Sequence, residues 1–364
     1  MAASLRYEPD YAVAPGRTLR STLSELGLTQ ADLAARTGLS IKHINQIVQG
    51  IAPITPETAL LLERATPVSA RYWNSLEAVY RERLTRRDSH VRLAEDADWL
   101  QELPIKELIR RGIVEATSDK PRQVEQVCRF FGVADRERWR KVWLTPLISY
   151  RQSASFDVDF GAIATWLRLG ELEAMLIEVK PFDAKRFRDV LAEARKLTVK
   201  EPALALRRLQ KYCASAGVAV VFLPDIGGTR TSGAARWLTP TKALIQLSDR
   251  HKADDQFWFS FFHEAAHLLL HSKKETFVSE EGGDNVSEQE EEEANSFAAT
   301  QLIPRRYESW LQELRTDDDV REFADELGIA PGIVVGRLHR ERIWDWNRGN
   351  RLRQKISFDE LVRD

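Results

Sequence analysis

Five residues, His263-Glu264-Ala265-Ala266-His267, constrain this chain more than any others. Two imidazoles four positions apart face the same way when the backbone is α-helical. The helix that carries them runs through an apolar stretch that includes Phe257, Trp258, Phe259, Phe261, Phe262, Leu268, Leu269 and Leu270. A glutamate and two histidines buried in such a helix need partners, because unpaired buried polar groups are costly. One metal ion satisfies both imidazoles at once, and Zn²⁺ takes imidazole nitrogen at about 2.0–2.1 Å. Glu264 stands beside them, where it can take a proton from water activated at the ion and return it to a leaving amine. The alternative is a helix with two surface or capping histidines, and the apolar surroundings argue against it. His271 lies eight residues beyond His263, roughly 12 Å along the axis at 1.5 Å per residue. No glycine between them breaks the helix, so one ion cannot reach both, and His271 is read as a helix C-terminal cation or cap.

The rest of the chain supplies the frame. At 364 residues it exceeds a usual single domain. Val218 to Leu223 is a short β-branched run, and Gly233 to Leu238 and Ala243 to Leu247 read as two more strands about the turn Thr239-Pro240-Thr241. The metal-site helix follows, then a Glu/Gly/Ser loop over Ser272 to Val286, then a second helix that opens at Ser287 with Glu290 three residues on. Before Val218 the pattern is helical throughout. The expected fold is α+β and mainly helical. Residues 1–90 form an all-helical module, 91–216 a helical linker region, 217–310 an α+β core with a small sheet, and 311–364 a helical, basic tail.

The N-terminal module has its own signature. Thr29 can cap a helix beginning at Gln30, Gly38 makes a tight turn, and Ser40 caps the next helix. In that helix Ile41, Ile44, Ile47 and Val48 share one face. Lys42, His43, Asn45, Gln46 and Gln49 occupy the other. Such an outer face can hydrogen-bond base edges, with one cation for phosphate, which is what a helix-turn-helix presents to the major groove.

Two resemblances add to these readings. Pro15-Gly16, Leu28-Thr29-Gln30, Gly38-Leu39-Ser40, Gly50, Pro53-Ile54-Thr55-Pro56 and the later Tyr72-Trp73-Asn74 resemble the XRE-like helix-turn-helix of HigA/VapI-type antitoxins over about residues 13–84. That resemblance implies a usually dimeric, operator-binding module in which Gln30 supports a backbone phosphate. It also raises a cognate toxin as a partner. HExxH followed by Glu293-Ala294-Asn295-Ser296-Phe297-Ala298 and Leu302-Ile303-Pro304 resembles the ImmA/IrrE metallopeptidases. It implies a zincin-like domain with Glu293 as the third zinc ligand. Glu293 and Phe297 share a helix face, and Glu292 is the second choice. Arg236 and Arg250, in and after the strands before the metal helix, are candidates for substrate or oxyanion contact.

The formal net charge of −2 excludes bulk attraction to nucleic acid, so any DNA contact must be local. Two cysteines, Cys128 and Cys213, cannot make a disulfide framework and point to a reducing, cytoplasmic setting. No apolar stretch is long enough for a membrane span. The combined expectation is a DNA-binding regulator with a zinc endopeptidase domain. Its sites are Glu264 (base), His263, His267 and Glu293 (zinc), and Gln30, Ser40, Lys42, His43, Asn45 and Gln46 (operator DNA). The substrate is a repressor or related protein, with turnover conditional on a signal. The alternative is an antitoxin or repressor whose metal domain is a scaffold without turnover.

Overall fold

A computed structural model describes residues 13–145, 159–227, 229, 231–250, 252–271, 277–280 and 288–358. The chain divides into two compact units, one of residues up to 97 with 119–122, the other of 98–118 with the remainder.

The first unit is five helices: α1 (Pro15–Glu25), α2 (Gln30–Thr37), α3 (Ile41–Val48), α4 (Pro56–Ala65) and α5 (Ala70–Glu95). Their ends follow from local chemistry. Thr29 and Asp32 form a reciprocal capping box at the start of α2, and Gly38 ends that helix at φ 76°, a left-handed conformation that suits glycine. Ser40 accepts from the His43 N–H, and Thr55 accepts from the Thr58 N–H with Pro56 at the first helical position. Leu19, Leu23, Leu33, Ile44, Ile47, Ile54, Leu62 and Trp73 close the core. The helices α1 and α3 approach so closely that a side chain at Gly16 would strike the Ile47 carbonyl. Buried Glu77 of α5 accepts from the Ile54 N–H at 3.0 Å and from Arg81 at 2.6 Å, which fixes the α3–α4 turn.

The second unit is built on a four-stranded sheet of order β1-β3-β2-β4, with β1 (Val218–Phe222), β2 (Thr231–Thr239), β3 (Lys242–Leu247) and β4 (Phe277–Glu280). β1 and β3 are parallel, while β2 runs antiparallel to both its neighbours. Three of these strands were expected. The fourth falls inside the stretch read from sequence as a loop, of which residues 272–276 and 281–286 lie outside the described residues, as does the expected cap at Ser287. The fold is therefore α+β and mainly helical, as the sequence indicated.

Strand alternation sorts the two faces of the sheet. Val218, Val220, Ala235, Ala243, Ile245 and Leu247 enter one large core. That core also holds Phe187, Leu206 and Leu209 from the two helices before β1, Ala184–Lys196 and Pro202–Ala214. It further takes Phe257, Phe261 and Phe262 of the HExxH helix, Asp254–Leu270, and runs on through Val334, Leu338, Trp344 and Phe358. On the other face, the helix Phe160–Leu176 lies against β3. Gln246 donates to the Trp166 carbonyl at 2.8 Å, and Gly170 leaves room for the Gln246 side chain. Helices read from sequence as a linker thus cover both faces of the sheet.

Residues after 311 are continuous with the same core. Trp344 is buried and donates to the Leu314 carbonyl at 3.2 Å. The basic character of this stretch is largely consumed internally: Arg337 pairs with Glu308 and Glu341, Arg351 with Asp317, and Arg353 with Asp255.

Candidate functional site

The HExxH helix carries its motif at the centre of the second unit. His263, Glu264 and His267 are all buried. The two Nε2 atoms lie 3.0 Å apart. The outer nitrogen of His263, Nδ1, lies 3.2 Å from Asn295 Oδ1, an acceptor that favours a ring proton on Nδ1 and leaves Nε2 as the inward atom. A carboxylate completes the cluster. Glu291 places Oε2 3.3 Å from His263 Nε2 and Oε1 3.4 Å from His267 Nε2. One ligand atom from each of the three residues fits within 4.8 Å.

The third carboxylate is a correction to the sequence reading, which placed it at Glu293. The helix Glu288–Leu302 buries Ala294, Ala298 and Leu302 against the HExxH helix side of the core. At 3.6 residues per turn, Glu291 and Asn295 flank that stripe one turn apart. Glu293 sits about 200° round from Glu291 and is half exposed. It meets His271 Nε2 at 3.4 Å and accepts from Gln289 at 3.0 Å. The second choice, Glu292, lines an open groove on the outer face with Glu293 and Phe297. His271 is the C-cap of the helix, one of the two roles read for it, and its N–H donates to the His267 carbonyl. Its side chain adds a contact the sequence did not indicate, with Nδ1 2.9 Å from Nδ1 of His267.

Electrostatics agree with a cation site. Burial drives His267 down to about 4, so that ring is neutral and ready to donate a lone pair. Burial acts in the same direction on His263, but the Glu291 hydrogen bond and the Glu264 and Glu291 charges outweigh it and raise that ring. Burial would raise Glu291, yet contact with both histidines holds it down at about 2, an anion. Two rings and a carboxylate within contact distance need a positive charge among them: a proton on His263 supplies it in the metal-free site, and a metal ion can take its place. That donor set of two nitrogens and one oxygen is one that zinc accepts.

Glu264 is positioned by the strand above it. A side chain at Gly233 of β2 would come within 2.6 Å of Glu264 Oε1, so glycine there lets the backbone rest on the carboxylate. Because Gly233 and Ala235 face the helix, Arg236 faces away. It pairs with Glu171 at 2.9 Å and lies over the Trp143 ring, on the far side of the sheet from the motif. That corrects its reading as a substrate contact.

The start of the HExxH helix holds a second feature that sequence reasoning missed. Asp254 and Asp255 are buried against Gly332 and Gly336 of the helix Pro331–Arg340, where a Cβ would strike either carboxylate. Asp255 pairs with Arg353 at 2.7 Å. Burial, then the charge of Asp255, pushes Asp254 up to about 7. An aspartate whose folded pKa lies above its unfolded value of 3.8 contributes stability at low pH and loses it as pH rises toward 7. Asp254→Asn removes that loss. With chelator in every sample, the variant should gain on the wild type by about 2–4 kcal/mol between pH 4 and pH 8. Thermal melts across that range check it, and a pH-independent difference between the two proteins would refute it.

In the first unit the operator-reading candidates cluster around α3. Ser40, Lys42, Asn45 and Gln49 are exposed, and His43, Gln46 and Gln30 are half-buried. Ile44, Ile47 and Val48 form the inner face as expected, but Ile41 is 55% exposed. It occupies the first helical position, at the end of the stripe rather than within it, and joins the polar residues on the outer surface.

Fold and site together define a two-part protein, a helix-turn-helix DNA-binding unit followed by a metallopeptidase-type domain. The sequence comparisons agree at the level of these two domains. Residues 19–73 match the helix-turn-helix family model, of the XRE type, and residues 213–339 match a peptidase family model described as the IrrE N-terminal-like domain. The chain is thus a fusion of an XRE-type helix-turn-helix with an IrrE-like domain. A search among curated proteins finds no match. No helix among the described residues is long and apolar enough to cross a membrane.

Proposed function

We propose that this protein is a DNA-binding transcriptional regulator whose second domain is a zinc-dependent endopeptidase acting on a repressor or related regulatory protein. The observation that carries the proposal is Glu264. A carboxylate wholly buried beside two histidines and Glu291 is needed for proton transfer, whereas a metal scaffold has no use for it. His263, His267 and Glu291 would hold the ion, which would supply Lewis acidity toward a peptide carbonyl and toward water. Glu264 would take the proton from the attacking water and deliver it to the departing amine. Gly233 holds that carboxylate in place by resting on it. β4 pairs with β2 beside the motif and is the outermost described strand on that side. An extended peptide would bind by adding to its outer edge.

The first unit would bring this activity to an operator, as a homodimer in the cytoplasm. Lys42 contacts phosphate, as does Gln30. Ser40, His43, Asn45 and Gln46 face the groove, and exposed Ile41 offers an apolar contact to a thymine methyl. On this reading the two-unit protein binds duplex from its own promoter region more tightly than random duplex, and more weakly as salt rises. Lys42→Ala should weaken both duplexes alike. Asn45→Ala or Gln46→Ala should cost about 1–3 kcal/mol on the promoter duplex and little on the random one. Fluorescence anisotropy titrations at two salt concentrations measure all of this. Equal affinity of the wild type for both duplexes would remove the operator role.

A further inference from the structure

An imidazole has two nitrogens, and only the one left without a proton can bind a metal. Which one that is depends on the acceptor offered to the other. His263 has its acceptor in Asn295. His267 sits one turn later, fully buried, and its outer nitrogen meets a second histidine. The helix stops at Leu270, and His271 follows in extended conformation at φ −111° and ψ 177°. The change of backbone direction lets the His271 ring fold back over the preceding turn. Its Nδ1 lies 2.9 Å from His267 Nδ1, and its Nε2 lies 3.4 Å from Glu293 Oε2.

At 2.9 Å the two Nδ1 atoms can share one proton, one ring donating and the other accepting. With His267 Nε2 turned toward Glu291 and His263, the His267 proton sits on Nδ1. His271 Nδ1 is then the acceptor, and its own proton sits on Nε2, facing the Glu293 carboxylate. We propose that His271 is a positioning residue for the metal centre: it accepts from His267 and fixes that ring with Nε2 inward, and Glu293 in turn holds His271 in the accepting tautomer. The inference rests on the metal reading above and extends it to a chain of three side chains, Glu293, His271 and His267. It also accounts for Glu293, which lies too far round its helix to be a ligand yet faces the outer end of this chain.

The test compares His271→Phe, which removes the acceptor and keeps a ring, with His271→Asn, whose amide oxygen can accept at a similar place. Zinc affinity of the purified full chain is measured by competition with a chromogenic chelator, and Co²⁺ spectra are recorded for each protein. His271→Phe should bind zinc ~10–100-fold more weakly and shift the cobalt bands. His271→Asn should stay within about 3-fold of wild type and keep its spectrum. Equal unfolding temperatures in chelator show that the fold is intact. Nitrogen-15 spectra of the zinc-loaded wild type read the tautomer directly, whatever the variants do: His271 should carry its proton on Nε2. A proton on Nδ1 instead overturns the proposal. So does a His271→Phe protein that binds zinc like wild type, or a His271→Asn protein as weak as His271→Phe. A wild type that takes up no zinc overturns the metal reading itself, and this one with it.

Discussion

Glu264→Gln should abolish proteolysis while leaving the metal in place. The expected loss is roughly 10²–10⁴-fold in rate, the range by which a positioned acid–base group accelerates proton transfer. The substitution is nearly isosteric, so the packing of the side chain beneath Gly233 is retained and the helix keeps its place in the core. The donor cluster of His263, His267 and Glu291 does not include Glu264, so zinc content should remain about one per chain. The assay co-expresses wild type or Glu264→Gln with each DNA-binding protein encoded nearby, with and without stress. Fragments that depend on zinc and appear only with Glu264 intact support the endopeptidase. The competing reading is an antitoxin-like repressor in which the metal domain is a scaffold, with a toxin as its partner. It expects the opposite: identical fragments, repression and stress response from both proteins. Loss of zinc from Glu264→Gln would assign Glu264 a ligand role that its position beside Gly233 does not favour.

The reach of the sequence follows from how local each determinant is. The Thr29 cap, the left-handed turn at Gly38 and the Ser40 cap act within a few residues, and each appears where the sequence indicated. The HExxH pair is equally local, because helix geometry alone brings His263 and His267 together. The third carboxylate is not. Glu290 to Glu293 are chemically identical, so residue type gives no phase. The phase is set by which side of that helix is buried. Ala294, Ala298 and Leu302 carried the signal, small and apolar residues at four-residue spacing that allow close helix packing. Read from that stripe, Glu291 and Asn295 point at the motif and Glu293 does not. Arg236 is a similar case on a strand. Its parity relative to Gly233 sends it to the far face, and nothing in the sequence alone says which face meets the helix. The sheet cover from the helices Phe160–Leu176, Ala184–Lys196 and Pro202–Ala214 is tertiary throughout, since amphipathic helices do not reveal what they cover. β4 is four residues long, and its pairing with β2 depends on partners some forty positions away.

Glu291→Gln and Glu293→Gln provide the sharpest contrast, because the two differ by two positions in a run of identical residues. Removing the Glu291 carboxylate takes away the only negative charge in the donor cluster of two histidines and one acid. An amide oxygen is a weaker donor with no charge to offset the cation. Zinc affinity should therefore fall by about 10³-fold or more, well beyond the ~10–100-fold typical of losing an outer hydrogen-bond partner. Glu293→Gln alters a half-exposed side chain that meets His271 at 3.4 Å, and its effect should stay under about 10-fold. Chelator competition on the full chain measures both. The folded state is checked independently, since neither side chain belongs to the apolar core that carries Ala294 and Ala298. If Glu291→Gln holds zinc normally and Glu293→Gln loses it, the ligand set implied by family resemblance is restored. That outcome would also require the helix Glu288–Leu302 to turn by about 200° about its axis, exposing Ala294 and Ala298 to water. The buried stripe is what makes such a turn unfavourable, and it ties the choice between the two carboxylates to the packing of two alanines.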